Sequence, residues 1–136
     1  MSKEPIGYRT RNGFIPYKEG AFSLTGNGVN KDVGAIQRQG TFVLASLYSL
    51  DNLLSGNTTP CSLSIPFEFR PTEDIIVNCS GMTDAGTIIS ATIKQDAKLV
   101  FKCKGIDDKY YDCDTFTLLT LLDMRNIGWK TNEGGL

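Results

Sequence analysis

Four aspartates cluster near the C-terminal end of the sequence, and carboxylates are the side chains best suited to bind calcium or to exchange protons with a sugar. Asp107, Asp108, Asp112 and Asp114 all lie between residues 107 and 114. Their spacing does not fit a helix-flanked calcium loop, because no glutamate stands at the closing position. We therefore interpret the cluster as a solvated acidic loop, since runs of charge usually face water.

Histidine is absent from the 136 residues. The most frequent general base and the usual partner of a nucleophilic serine are therefore missing. Catalysis would have to rely on carboxylate, lysine, tyrosine or cysteine side chains. We predict a binding protein rather than an enzyme, with no cofactor. The alternative hypothesis is that the protein is an enzyme, a glycan hydrolase or esterase that uses the acidic loop.

The four cysteines are Cys61, Cys79, Cys103 and Cys113, and no two of them form a CxxC pair. A zinc site would need all four thiolates without either of the close pairs that usually begin one. We predict no metal site, and buried thiols that pack as small apolar side chains.

Charge and hydropathy exclude two classes of partner. The chain has 14 basic and 15 acidic residues, so it lacks the basic excess that binding to nucleic acid requires. The longest apolar runs, such as residues 118–122, are too short to cross a membrane. The N-terminus leads into no apolar signal segment, so we expect the protein to be made in a cytoplasm.

Short runs of β-branched, aromatic or alternating apolar residues predict strands. These runs are residues 41–50, 61–65, 75–79, 87–94, 98–104 and 115–122. The last could instead form an amphipathic helix, although its threonines and Phe116 favour a strand. In the fourth run, alternation predicts that Ile89, Ala91 and Ile93 share one face.

The order of these runs predicts one domain. Residues 1–20 are polar and rich in turn formers, which is typical of a lead-in arm. Residues 21–136 form the predicted domain. We expect an all-β fold, a small antiparallel β-barrel or β-sandwich of Greek-key type.

Residues 62–101 contain a series of elements that resembles the C-terminal head domains of bacteriophage tail-fibre and baseplate receptor-binding proteins. The elements are Ile65-Pro66, Phe69-Arg70-Pro71, the strand at 75–79, Thr92-Ile93, and Asp96-Ala97 before a further strand. The heads of lactococcal phages are closest in pattern, since they also place Pro-x-Glu-Phe-x-Pro at this corner. Here Ala97 replaces the usual hairpin glycine.

The resemblance implies a homotrimer at the tail tip, baseplate or fibre of a virion. Such a head would bind saccharide on the host cell wall and contact other baseplate or fibre proteins. The alternative is a structural virion protein, a capsid fibre head or baseplate accessory protein, that contacts only other proteins. The sequence does not separate the two.

The corner itself has a predicted structural role. Pro66 and Pro71 withhold backbone donors, so the strand before them must end there. Phe69 is placed to plug the open end of a barrel. We expect Arg70 to brace this corner, through backbone carbonyls or through Glu68 or Glu73.

Sugar recognition needs an apolar face together with side chains that form hydrogen bonds to hydroxyl groups. Tyr110, Tyr111 and Trp129 fall in segments predicted as loops, where aromatic residues often contact ligands. With Asp108, and with Asp84 in the turn before Thr87, they form the predicted saccharide site. The alternative for Trp129 is that it covers one end of the core.

Overall fold

The computed structural model describes residues 7–10, 13–26, 28–54 and 60–131, with side chains described from residue 17 onward. The fold is all-β, as predicted. The strands are β1 (Gly7–Thr10), β2 (Gly13–Gly26), β3 (Val29–Gln39), β4 (Phe42–Ser49), β5 (Ser62–Ser64), β6 (Ile75–Thr83), β7 (Gly86–Ile93), β8 (Leu99–Lys104), β9 (Tyr110–Cys113) and β10 (Leu119–Lys130). Within these ranges no helix is long and apolar enough to cross a bilayer.

Strands β2 to β10 belong to one antiparallel sheet, and β1 pairs with the start of β2. Along the sheet the order is β2, β3, β4, β10, β6, β7, β8 and β9, with β5 on the free side of β2. A bridge between Ser64 and Lys98 brings β5 to the beginning of β8, and the Ile65 amide donates to the Ala97 carbonyl at 2.8 Å. The sheet therefore curls into a half-barrel around a single core.

Alternation of apolar and polar residues explains which face of each strand is buried. In β8, Leu99, Phe101 and Cys103 point into the core while Lys102 and Lys104 are exposed, as the sequence predicts. The strands predicted at 41–50, 61–65 and 75–79 are also present, and β6 continues to Thr83. For the run at 115–122 the strand prediction is confirmed from Leu119 onward.

Strand β7 differs from the predicted alternation. Ala91 and Ile93 are buried as expected, but Ile88 is buried and Ile89 is exposed. The register against β8 shifts between Ile88 and Ser90. A β-bulge inserts one extra residue and so reverses the side-chain parity of the strand before it. The prediction that Ile89 shares a face with Ala91 and Ile93 is therefore wrong.

The corner after β5 closes one end of the half-barrel. Residues Phe67–Phe69 form a single 3-10 turn, and Phe69 is fully buried against Gly20 of β2. The Trp129 indole N–H donates to the Phe69 carbonyl at 2.7 Å. The predicted role of Phe69 as a plug is confirmed.

Two arginines hold this corner through its backbone carbonyls. Arg38, which is buried, donates to the carbonyls of Glu68 at 2.6 Å and Gly40 at 2.8 Å. Arg70 donates to the Phe67 carbonyl at 2.9 Å, and its guanidinium lies 3.8 Å from the centre of the Phe67 ring. Arg70 thus braces a backbone carbonyl, as predicted. The contribution of Arg38 was not predicted, because an arginine within an alternating strand gives no sign of being buried.

The predicted boundary between an arm and a domain at residue 20 does not coincide with an element boundary. Strand β2 runs through it and pairs with β3 from Tyr17 to Gly26. Gly20 contacts the plug, so the second half of the predicted arm belongs to the sheet. Residues 1–6 and 11–12 of that arm, and residues 132–136 of the predicted domain, lie outside the described residues.

Candidate functional site

A pocket of about 590 Å³ opens at the end of the half-barrel opposite the corner. It lies between the β6–β7 turn and the loop that joins β8 to β9. Its apolar lining comes from Met82, Ile89 and Ile106, and its polar lining includes Asp84, Thr87, Lys104 and Asp108. Apolar surface and convergent polar groups are the combination that small-ligand sites usually present.

The β8–β9 loop is held by its own backbone. The Gly105 amide donates to the Lys109 carbonyl at 2.9 Å, and the Asp108 amide donates to the Gly105 carbonyl at 3.0 Å. Asp107 accepts the Lys109 amide at 3.1 Å, and Asp108 has a φ of 62°. Aspartate tolerates this left-handed conformation better than most residues. The loop therefore presents Ile106, which is fully exposed, on an ordered support.

Tyr110 and Tyr111 were predicted in a loop, and this placement is wrong because both lie in β9. The Tyr111 hydroxyl donates to the Asp107 carboxylate. This hydrogen bond lowers the pKa of Asp107 and raises the pKa of Tyr111. Tyr110 is also exposed, and neither ring lines the pocket. The two tyrosines therefore lie beside the loop and not in the pocket.

The two predicted aspartates come together in this pocket although they are 24 positions apart. Asp84 also holds the chain before β10, since its Oδ1 accepts the amides of Thr117 at 2.9 Å and Leu118 at 3.3 Å. Asp108 lies 3.7 Å from the Lys104 ammonium in an exposed ion pair. Asp108 therefore stays accessible to a ligand, whereas Asp84 has a structural role as well.

Trp129 does not join these residues. It was predicted in a loop, but it lies near the end of β10 and is only 4% exposed. Leu119, which pairs with Thr83 beside the pocket, begins the same strand. At about 3.3 Å per residue, Trp129 is roughly 30 Å from that end of the strand. The position of Trp129 agrees with the alternative interpretation, that it covers one end of the core.

The apolar lining of the pocket was not predicted from the sequence. Met82 and Ile89 lie in strands and resemble core residues until the pairing is known. The exposure of Ile106 could have been predicted from the sequence. It stands between Gly105 and two aspartates, in a polar loop where no core residue is expected. An apolar residue at such a position indicates a contact surface rather than a core.

The cysteines contribute no nucleophile at this site. All four are buried, and no disulfide links them. Burial is the main cause that raises the pKa of Cys79 to about 12 and the pKa of Cys113 to about 11. No group of three or more histidine, cysteine, aspartate or glutamate side chains among the described residues is arranged to hold a metal ion.

We expect the native protein to react with fewer than one equivalent of a thiol-specific disulfide reagent within minutes at pH 8. At that pH only about one Cys113 thiol in a thousand, and one Cys79 thiol in ten thousand, is a thiolate. Absorbance of the released thiolate measures the reaction, and the same protein in guanidinium chloride should yield four equivalents. Rapid reaction of two or more thiols in the native state would contradict this burial.

Comparison with known proteins gives no match, since no family model, curated protein or solved structure is significantly similar to the chain.

Proposed function

We propose that this protein is a non-enzymatic receptor-binding head of a phage virion that attaches to host cell-wall saccharide. The observation that carries the proposal is the pocket beside the β8–β9 loop, where apolar and hydroxyl-binding side chains converge. The resemblance of residues 62–101 to phage receptor-binding heads supports the same function. The pocket contains no histidine, the most frequent general base.

Each side of the pocket suits one part of a sugar ring. Ile106, Met82 and Ile89 offer apolar surface to its C–H groups, with Tyr110 at the edge of the loop. Asp108 can accept hydrogen bonds from neighbouring hydroxyl groups, and Lys104 can donate them. Because the loop is already ordered by its backbone hydrogen bonds, binding loses little conformational entropy there.

The head acts as a homotrimer in this proposal. A single shallow pocket binds a sugar weakly, and several pockets on one particle bind a repetitive wall polymer far more tightly. The virion site of action is the tail tip, baseplate or fibre, where the head would also contact other virion proteins.

The direct test is binding of fluorescently labelled protein to cells of candidate hosts, with and without isolated wall polysaccharide as competitor. We expect saturable binding to the host that the polysaccharide abolishes. Binding to no host, or binding that the polysaccharide leaves unchanged, would refute the saccharide assignment. The protein would then fit the alternative of a structural virion protein, which the exposed apolar residues of β4 favour.

Substitutions in the loop should weaken that binding. We expect Ile106→Ala, Asp108→Asn and Tyr110→Ala each to lower the affinity for cells about five- to tenfold, the effect of losing roughly 1 to 1.4 kcal/mol of contact. Asparagine keeps the left-handed conformation at position 108. The matched control is Ile76→Ala, because Ile76 is equally apolar and 76% exposed but lies at the far end of β6. Parent-like binding by all three variants would place the site elsewhere.

A further inference from the structure

A second pocket, of about 400 Å³, lies where the curled sheet closes on itself, between β5 and the beginning of β8. Two bridges cross this closure, one between Cys61 and Phe116 and one between Ser64 and Lys98. Elsewhere β5 pairs as a strand with β2, and β9 pairs with β8 only from Phe101 onward. An opening therefore remains between the two bridges. We call the pocket in it the seam pocket, and the pocket beside the β8–β9 loop the loop pocket.

The seam pocket has an apolar floor and a polar rim. Leu63 and Leu99 are buried, and Val100 is half-buried. The other lining residues are polar or charged: Ser62, Lys94, Asp96, Lys98, Asp114 and Thr115. None of the charged side chains among them forms a salt bridge with another described residue. Apolar surface below convergent polar groups is the same combination that the loop pocket presents.

The turn that carries part of this rim is ordered by its own hydrogen bonds. The Lys94 amide donates to the Lys98 carbonyl at 3.0 Å, and the Ala97 amide donates to the Lys94 carbonyl at 2.9 Å. Asp96 accepts the Lys98 amide at 3.1 Å. As in the β8–β9 loop, a ligand would therefore meet a backbone that is already fixed, so binding there loses little conformational entropy.

The two pockets lie at opposite ends of β8. Lys98 and Leu99, at the beginning of the strand, line the seam pocket, and Lys104, at its end, lines the loop pocket. At about 3.3 Å per residue, the stretch from Lys98 to Lys104 spans roughly 20 Å. This distance is several times the width of one sugar ring, so one sugar residue cannot occupy both pockets.

The outer face of the sheet between the pockets is polar. Lys102 of β8 points outward, since Phe101 and Cys103 on either side of it are buried. It pairs with Ser90 of β7 and with Asp112 of β9. Residues that pair directly across strands share a face of the sheet. A chain that crosses from one pocket to the other therefore meets donors and acceptors of hydrogen bonds along the way.

Both signs of charge are present at each part of this surface. An ammonium and a carboxylate occur together in the seam pocket, between the pockets and in the loop pocket: Lys98 with Asp114, Lys102 with Asp112, and Lys104 with Asp108. A polymer with one kind of charge would meet like charge at every one of these places, which weakens binding. Hydroxyl groups, in contrast, can accept from the lysines and donate to the aspartates. The surface therefore suits a chain of uncharged sugar residues.

We infer that the outer face of β8 binds one extended, uncharged segment of the wall polysaccharide, with the seam pocket as a second subsite further along the same chain. The inference rests on the proposed function, which supplies the polymer and the first subsite. Two shallow pockets each bind a sugar weakly. When one chain occupies the first, its contact with the second becomes intramolecular, and the overall affinity rises without any further contact.

The test uses oligosaccharides released from the isolated wall polysaccharide by mild acid and separated by length, with binding measured by isothermal titration calorimetry. We expect the octasaccharide to bind about tenfold more tightly than the disaccharide, because only the longer fragment reaches both pockets. Lys98→Ala and Asp114→Ala should each weaken binding of the octasaccharide about five- to tenfold and leave binding of the disaccharide unchanged. Asp108→Asn, in the loop pocket, should weaken binding of both fragments.

Lys130→Ala is the matched control, because it removes the same charge from an exposed position on β10, which β6 and β7 separate from β8. This variant should bind both fragments like the parent. The circular dichroism spectrum confirms that each variant is folded.

The outcomes separate this inference from the proposed function. Equal affinities for the two fragments would overturn the second subsite and leave the loop pocket as a saccharide site. A gain with length that both Lys98→Ala and Asp114→Ala retain would do the same. If neither the fragments nor the intact polysaccharide binds the parent protein, the proposed function and the inference are refuted together.

Discussion

Replacing Phe69 with alanine should lower the free energy of unfolding by about 3 to 5 kcal/mol, the usual cost of emptying a buried aromatic site. The Phe69 side chain is fully buried and lies against Gly20, where a Cβ would be 2.5 Å from the ring. Little can move into the space that alanine would leave, because β2 and the Trp129 hydrogen bond fix the corner on both sides. Denaturation by urea, followed by tryptophan fluorescence, measures the loss.

Phe67→Ala is the matched control, since Phe67 belongs to the same 3-10 turn. It is 62% exposed and stacks with the Arg70 guanidinium. Exposed cation–π contacts contribute about 0.5 to 1 kcal/mol, so the control should lose no more than that. Equal losses for the two phenylalanines would mean that burial of Phe69 is not what closes the barrel.

Replacing Trp129 with alanine should also lower the free energy of unfolding by about 3 to 5 kcal/mol. Two contributions are lost together, the apolar packing of the indole and its hydrogen bond. The indole is buried beside Val43, which pairs with it across β4 and β10, and its N–H satisfies the Phe69 carbonyl. Trp129→Phe keeps most of the apolar volume and loses the donor. We expect this variant to lose about 1 to 3 kcal/mol, the cost of leaving a buried carbonyl without its hydrogen bond.

Chemical denaturation followed by circular dichroism measures both Trp129 variants, because the only tryptophan is lost. Tyr110→Ala should leave stability nearly unchanged, since that side chain is exposed on β9. Conversely, Trp129→Ala with parent stability but without cell binding would show that the tryptophan contacts the ligand. The stability and binding assays therefore distinguish the two interpretations of this residue.

The two ends of the half-barrel have different roles. One end is sealed by the 3-10 turn, Arg38 and Trp129. The other end has the ordered loop and the pocket. The open end exposes Ile106 beside the pocket, and ligand-binding loops are usually drawn from the less stable parts of a fold. We expect substitutions at the sealed end to reduce stability, and those at the open end to reduce binding.

Local patterns in the sequence determined the all-β class and much of the strand content. The alternation from Leu99 to Cys103 predicts β8 and its buried face, because the side-chain period of a strand is two. The turn at Asp84 and the corner at Pro66 follow from residues that fix or free the backbone. Each of these signals lies within a few residues of chain, so the sequence alone contains it.

Only the tertiary structure decided the composition of the candidate site. Asp84 and Asp108 share a pocket because β6, β7 and β8 pair as neighbours, which local sequence does not specify. Trp129 is removed from the site by the length of β10, and the bulge in β7 exposes Ile89. Strand β10 lies between β4 and β6, far from its neighbours in sequence. The free energy of the whole core selects such long-range pairings, and no short pattern records them.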